Sequence, residues 1–213
     1  MPYCQKLKVT CADTISYLDQ PHSPTDPLFL MSSIKSVPVI IAHFRNPEAL
    51  KKTLEHVSQQ TVACEVFVRD NSHDNIYFTK AMNEGLRKYC FNGQHDFVLL
   101  LNHDAFLAPD CVEQMVQVML THPKCGIVAP VTYDQHGNIT YAGGQAAFPN
   151  GVHLTPPVHD LNQHAYTTRW ANGACMLLRV SMVQEIGLLD ENMQFTFSDS
   201  DYSFTARSRG WEI

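Results

Sequence analysis

Phe97-Val-Leu-Leu-Leu-Asn-His-Asp104 decides how this chain is read. The apolar run Phe97–Leu101 has the length of one strand, and its lack of alternation suits a strand buried on both faces. It ends on a polar cluster, Asn102-His103-Asp104. Upstream the same pattern occurs twice. Val37–Ala42 is a β-branched apolar run followed by Asn46-Pro47, a helix N-cap and first-turn proline. Leu50, Leu54 and Val57 then fall on one face of a helix ending near Gln60. Glu65–Arg69 reads as a second strand, which stops at Asp70-Asn71-Ser72. A helix from about Phe78 to Tyr89 follows, with Ala81, Met82, Leu86 and Tyr89 as its apolar side.

Downstream of the opening stretch, Pro109 is expected to start a helix bearing Val112, Met115, Val116 and Met119, and Gly126–Pro130 a fourth strand. Strands alternating with helices predict an α/β fold with right-handed crossovers and a mostly parallel central sheet with helices on both faces. Such sheets bind ligands at the carboxyl ends of their strands, which is where the three polar clusters stand.

The second half has a different texture. Val131–Tyr133 and Ile139–Tyr141 flank Gly137-Asn138 and predict a hairpin, a small antiparallel element. Residues 142–168, rich in Gly, Pro and His, read as a long loop. A helix is expected over Ser181–Ile186, stopped by Gly187, and another from Ser198 or Asp199 to Gly210. Residues 1–36, with Pro21-His-Ser-Pro-Thr-Asp-Pro27, lack periodicity and read as an extension or linker. The organised domain is therefore expected over 37–213, with a first half over about 37–130 and a second half over about 131–213.

At 213 residues the chain suffices for one domain with a sizeable core. A composition 45% hydrophobic and 17% charged is that of a globular protein. No apolar run approaches the ~20 residues of a membrane-spanning helix, and Met1–Thr10 lacks the apolar centre of a secretion signal. A net charge of −6 argues against nucleic acid as the main ligand. It leaves room for a small anion, because backbone amides and one cation outweigh a global charge locally. Seven cysteines without a Cys-x-x-Cys pair predict free thiols and a cytoplasmic location.

Several side chains carry candidate chemistry, each with a plainer alternative. Asp104, held after a buried strand, can ligate a cation bridging two phosphates, or cap a turn before Ala108-Pro109. Asp70 can hydrogen-bond a base or ribose, or close an Asx-turn. Asp199 and Asp201, at a helix start, are kept ionised by the free amides there and can serve as a general base, or act as N-caps. The eleven histidines form no HxxxH or HExxH pair, so loop histidines such as His136, His153, His159 and His164 read as surface residues. Of the two tryptophans, Trp170 is the better candidate for stacking on a sugar, although packing is the commoner use of the residue.

In order and spacing, these segments resemble the family 2 glycosyltransferases of GT-A fold, especially their rhamnosyltransferase-like bacterial members. Val37-Pro-Val-Ile-Ile-Ala-His-Phe-Arg-Asn-Pro-Glu48 is similar to the family's opening strand and nucleotide-contacting loop. Val66-Phe-Val-Arg-Asp-Asn-Ser72 resembles the segment whose aspartate contacts the base. Asn75-Ile-Tyr-Phe-Thr-Lys-Ala-Met-Asn-Glu-Gly-Leu86 resembles the Asn-x-Gly-Phe-x-x-Ala-x-Asn-x-Gly pattern. Phe97–Asp104 matches the strand leading into Asp-x-Asp. Asn172-Gly-Ala-Cys-Met-Leu-Leu-Arg179 with Ile186–Glu191 is similar to the acceptor-side segment, and Ser198-Asp-Ser-Asp-Tyr202 to the Glu-Asp-x-Asp helix that carries the base. Asn102 replaces the first aspartate of Asp-x-Asp, Ser198 the usual glutamate, and Tyr77 a usual glycine. Family members continue past Gly210-Trp-Glu-Ile213 into a strand and a histidine that can complete the metal site, so the resemblance implies either a chain truncated at its C-terminal end or an incomplete active site, with about 37–130 as the nucleotide-binding half and about 131–213 as the acceptor-side half.

The resemblance implies an inverting transferase moving a sugar from a UDP- or dTDP-linked donor to a glycan or lipid-linked acceptor, in bacterial surface polysaccharide or glycan synthesis. Peripheral association with the inner membrane face is part of the same expectation. Ala42, His43, Phe44, Arg45, Asp70, Asn71, Asn83, Asn102, His103, Trp170, Gly173 and Ala174 are then the substrate-binding candidates. Asp104 is the expected ligand of a Mg²⁺ or Mn²⁺ ion, Asp199 the base, and Asp201 its runner-up. The competing expectation is a non-catalytic or truncated sugar-nucleotide-binding domain; a sugar nucleotidyltransferase, which shares the sheet type, would want a Gly-rich basic phosphate loop where Ala42-His-Phe-Arg-Asn46 stands.

Overall fold

The structure, a computed structural model, describes residues 5–7, 31, 34–146, 151–153 and 165–213. The Pro21–Pro27 stretch, Cys4, Cys11, His159 and His164 lie outside these residues. A five-stranded sheet organises the chain. Its strands are β2 (Val37–His43), β3 (Cys64–Asp70), β4 (Phe97–Asn102), β6 (Ile127–Val128) and β11 (Cys175–Arg179), in the order β3-β2-β4-β11-β6. β2 pairs in parallel with β3 and β4, whereas β11 is antiparallel to both β4 and β6. Four strands therefore run one way and one runs against them.

The helices are α1 (Pro47–Ser58), α2 (Tyr77–Cys90), α3 (Cys111–Thr121), α4 (Val180–Ile186) and α5 (Ser198–Ser208). Strand alternation sorts the core into two layers. Ile40, Ala42, Val98 and Leu100 join Met82 and Leu86 of α2 and Tyr202 and Ala206 of α5 on one face. Val39, Ile41, Leu99 and Leu101 join Val57 of α1 and Val112, Val116 and Met119 of α3 on the other. Both faces of the sheet are thus covered, as unbroken apolar strands require. Gly85 lets α2 approach closely, since a Cβ there would lie 2.5 Å from Ile40 Cγ2.

Local signals explain most boundaries. Asn46 caps α1 by accepting the Ala49 amide at 3.2 Å, with Pro47 in the first turn. Gly187, at φ 88°, follows the end of α4. The hairpin β7 (Thr132–Tyr133) and β8 (Ile139–Tyr141) closes around Gly137, with Asp134 accepting the amides of His136 and Asn138.

Some expectations are corrected. α3 starts at Cys111 rather than Pro109, because Ala108–Cys111 forms a hydrogen-bonded turn (Cys111 N–H to Ala108 O, 3.0 Å) with proline at its second position. The strand expected over Gly126–Pro130 is confined to Ile127–Val128 and pairs with β11, which intervenes between it and β4. Part of the expected loop 142–168 is a second hairpin, β9 (Gly144–Ala146) with β10 (Gly151–His153). Two short strands complete the architecture: β1 (Gln5–Leu7) pairs with β7 and with β5 (Ala105–Phe106). The five described cysteines are free thiols, and no described helix is long and apolar enough to cross a membrane.

Candidate active site

The parallel strands bring His43, Asp70 and Asn102 to one sheet edge, in register as His43↔Asp70 and Ala42↔Asn102. β11 runs the opposite way, so its beginning meets the same edge. The Asn102 amide donates to Ala174 O at 2.9 Å and extends the β4–β11 ladder by one rung. Asn172 holds this turn by accepting the Ala174 amide at 2.8 Å. The start of α5 reaches the turn from the next segment, as the Gly173 amide donates to Asp199 Oδ2 at 2.8 Å. A continuous path, Asn102–Ala174–Gly173–Asp199, thereby joins the β4 terminus to the start of α5.

On the other side, two loops clasp each other. The Asn46 amide donates to His43 Nε2 at 3.2 Å, which leaves Nδ1 to carry the ring proton and donate to Asp70 Oδ1 at 3.0 Å. The Arg45 amide donates to Ser72 Oγ at 3.1 Å. Asp70 also accepts the Ser72 amide at 2.9 Å, the Asx-turn geometry. These contacts hold the Asp70 carboxyl down to about 2, with Ser72 the main cause and His43 a lesser one. Arg45 takes a left-handed φ of 48° and sets its guanidinium over the exposed Phe44 ring at 5.0 Å.

Asn71 is 3% exposed; its amide group donates to Tyr77 O at 3.2 Å, yet its Oδ1 has no partner among the described residues. A buried orphan acceptor costs about 1–3 kcal/mol, and here it sits beside Asp70. The other such atom is Gln114 Oε1, on α3.

Behind Asn102 the chain turns through His103 and Asp104. His103 Nδ1 is 3.2 Å from Ala42 O, which makes that nitrogen the donor, and the fully buried Thr53 hydroxyl donates to His103 O at 2.7 Å. The turn is therefore fixed from both neighbouring elements. Asp104 is half-buried, and no ion pair among the described residues engages it. No three His, Cys, Asp or Glu side chains among the described residues gather as a metal cage. What this edge could offer a cation is the Asp104 carboxylate, a hard oxygen donor of the kind Mg²⁺ and Mn²⁺ accept.

The residue at the N-cap of α5 is neither Ser198 nor Asp199 but Phe197, in left-handed conformation at φ 66° and without a side-chain cap. Asp199 lies inside the first turn, where Oδ1 accepts the Ser200 amide at 2.8 Å while Oδ2 takes Gly173. One backbone donor on each oxygen fixes the carboxylate and leaves further lone pairs for an incoming hydroxyl. Asp201 is displaced upward in pKa, mainly by burial and then by the Asp190 charge.

Two candidates are committed elsewhere. Asn83 donates both amide hydrogens, to Leu189 O at 2.8 Å and Glu191 Oε1 at 3.1 Å, and accepts the Leu189 amide at 3.1 Å. It clamps α2 to the segment before α5. Trp170 is 5% exposed, its ring packed on Gly144 and near Tyr141 and His153, with Nε1 donating to Gln145 O at 3.2 Å. Packing, not stacking on a sugar, is the use the fold makes of it.

Sequence reasoning missed Arg69, Ser72 and Thr53. Arg69 binds Asp74 through both terminal nitrogens and Glu84 through Nε, bracing the 70–74 loop. Charge alternation in Arg69-Asp70 and Asp74 was a usable signal; nothing local marks Thr53. A separate cleft of about 540 Å³, lined by Thr168, Arg207 and Trp211 among others, lies at the opposite end of α5 from Asp199, roughly 15 Å along the helix.

Comparison with known proteins agrees with this architecture. No curated protein matches the chain. Among solved structures, GalNAc-T7 with UDP, GalNAc and Mn²⁺ superposes with a TM-score of 0.63 at 15% identity, covering 84% of this chain and 42% of that one. The mannosyltransferase PcManGT from Pyrobaculum calidifontis, in complex with GDP-Man and Mn²⁺, gives 0.52 at 12% identity over 84% of this chain and 53% of its own. The chain thus spans about half the length of these structures, and the likeness establishes the GT-A fold. The family model for glycosyltransferase-like family 2 matches residues 71–213. The chain belongs to glycosyltransferase-like family 2.

Proposed function

We propose that this chain is the sugar-transferring domain of an inverting glycosyltransferase that uses a nucleoside diphosphate sugar, with Asp199 as base. The observation that carries the reading is the hydrogen-bonded path from Asn102 through Ala174 and Gly173 to Asp199. It unites the strand end expected to meet a diphosphate with the carboxylate expected to meet the acceptor. The neighbours' UDP and GDP-Man ligands support a nucleotide sugar as donor class.

In this reading the clasped loops His43–Arg45 and Asp70–Ser72 hold the nucleoside. Asp70 stays ionised and accepts from a base N–H or ribose hydroxyl, and the orphan Oδ1 of Asn71 gains the donor it lacks. Asp104 is the residue that would hold a Mg²⁺ or Mn²⁺ ion, and such an ion would supply charge neutralisation for the departing diphosphate. Asp199, oriented by Gly173 and Ser200, takes the proton of the acceptor hydroxyl as its oxygen attacks the anomeric carbon and the nucleoside diphosphate leaves. One displacement inverts that carbon. In this reading Asp201, whose amide donates to Phe197 O at 2.9 Å, supports rather than replaces Asp199. A role in bacterial surface polysaccharide or glycan synthesis, on a glycan or lipid-linked acceptor, follows from the rhamnosyltransferase-like pattern of the motifs.

Asn102, which stands where the resemblance expects an aspartate, favours a second reading, a non-catalytic or truncated domain that binds the nucleotide sugar without turning it over. Calorimetric titration with UDP-, dTDP- and GDP-linked sugars, with and without Mn²⁺, tests the first step of both. Mn²⁺-dependent binding of one donor is expected, and no binding of any donor contradicts both. Release of the nucleoside diphosphate with an acceptor present then separates enzyme from binder.

A further inference from the structure

We propose that Tyr77, Phe195 and Phe197 form an aromatic platform for a pyranose ring of the acceptor, an assignment that rests on the glycosyltransferase reading above. These rings are 47%, 72% and 60% exposed; of the other described aromatic side chains, Phe91 at the far end of α2 reaches 54% and the rest are at most 41% exposed. Two of them are displayed from left-handed backbone, Tyr77 at φ 64° and Phe197 at φ 66°. That conformation disfavours any residue with a Cβ, and glycine would relieve it. A ring this exposed has little packing to compensate for the backbone strain, which points to a use outside the fold.

The positions converge. The Thr79 amide donates to Gln194 O at 3.2 Å and the Thr79 hydroxyl donates to Met193 O, tying the first turn of α2 to the residues just before Phe195. Phe197 is two residues from Asp199, and its carbonyl accepts the Asp201 amide at 2.9 Å. The aromatic residues therefore stand on two joined segments that lead into the candidate base.

Their setting selects the ligand class. Asp190–Asp201 holds four carboxylates (Asp190, Glu191, Asp199, Asp201) and one aliphatic side chain, Met193. Acidic residues are depleted in protein interfaces. A sugar needs both kinds of group, an aromatic face for its C–H side and carboxylates for its hydroxyl rim. A pyranose resting on these rings would bring a hydroxyl toward Asp199.

The test is saturation-transfer NMR on the full chain with UDP or GDP and Mn²⁺ present, using methyl glycosides of glucose, galactose, mannose and rhamnose as probes. Nucleotide affinity is measured in parallel by calorimetry. The expected result is transfer to the C–H protons of at least one glycoside. It should fall about fivefold in Phe195→Ala and in Phe197→Gly, recover in Phe195→Tyr, and leave nucleotide affinity unchanged. Phe197→Gly also relieves the strained φ, and its unchanged nucleotide affinity would show that loss of sugar contact does not come from misfolding. Unchanged transfer in both variants, or a wild-type chain that binds nucleotide but no glycoside, overturns the platform and leaves the glycosyltransferase reading standing. Absence of nucleotide binding in the wild type overturns the reading beneath it.

Discussion

Gly173 and Asp199 meet across 2.8 Å, backbone amide to carboxylate Oδ2. The contact leaves little room for a side chain, because a Cβ on Gly173 would lie 3.1 Å from Asp199 Cβ and 3.2 Å from Oδ2. The glycine thus sets the position of the proposed base from the far side of the site.

Gly173→Ala is therefore expected to shift Asp199 by a few tenths of an ångström. Turnover should fall by roughly tenfold, as small misplacements of a reacting group do, with nucleotide affinity unchanged. Steady-state kinetics beside calorimetry check this; equal losses in both would mean that the whole edge has moved.

Asp70 gives a pH signature. Its folded pKa lies below its unfolded value of 3.8, at about 2. Its contribution to stability is then fully present above the unfolded value and disappears as pH falls through the folded one. The stability difference between the wild type and Asp70→Asn should be constant near neutrality and shrink from about pH 4 to about pH 2. Urea titrations across that range measure it, and a difference growing toward acid would contradict the assigned contacts.

Gly85→Ala should destabilise the chain by about 1–3 kcal/mol. The new methyl would strike Ile40, which is fully buried and has nowhere to yield. A midpoint shift in denaturant reads this directly.

Phe197→Gly should act in the opposite sense, stabilising by about 1 kcal/mol through relief of the left-handed φ, since the exposed ring has little packing to lose. A rise in melting temperature with a fall in sugar binding is the expected pair of outcomes.

The sequence is most legible where local rules dominate. Asn46-Pro47, Gly137-Asn138 and Gly187 mark boundaries because caps and positive-φ turns are chemistry of a few adjacent residues. The three strand ends bearing His43, Asp70 and Asn102 could be read because apolar runs and polar stops need no knowledge of partners. β11 escaped for the converse reason. Cys175–Arg179 is a short apolar run whose identity as a strand depends on pairing with Val98–Leu101, more than 70 residues earlier. Asn83 and Trp170 show the same limit: a buried amide or indole can face a ligand or another segment, and only the fold reveals Leu189 or Gly144 as the partner. Tyr77 takes a φ of 64°, which glycine adopts without strain, and this fits the glycine that the resemblance places at the position.

The central claim is that Asp199 removes the acceptor proton. Its most direct test is sugar transfer by Asp199→Asn, which keeps the shape of the side chain and removes its basicity. Turnover should fall by about 10²–10⁴-fold, with affinity for the nucleotide sugar and Mn²⁺ retained. Near-normal transfer by that variant would contradict the account.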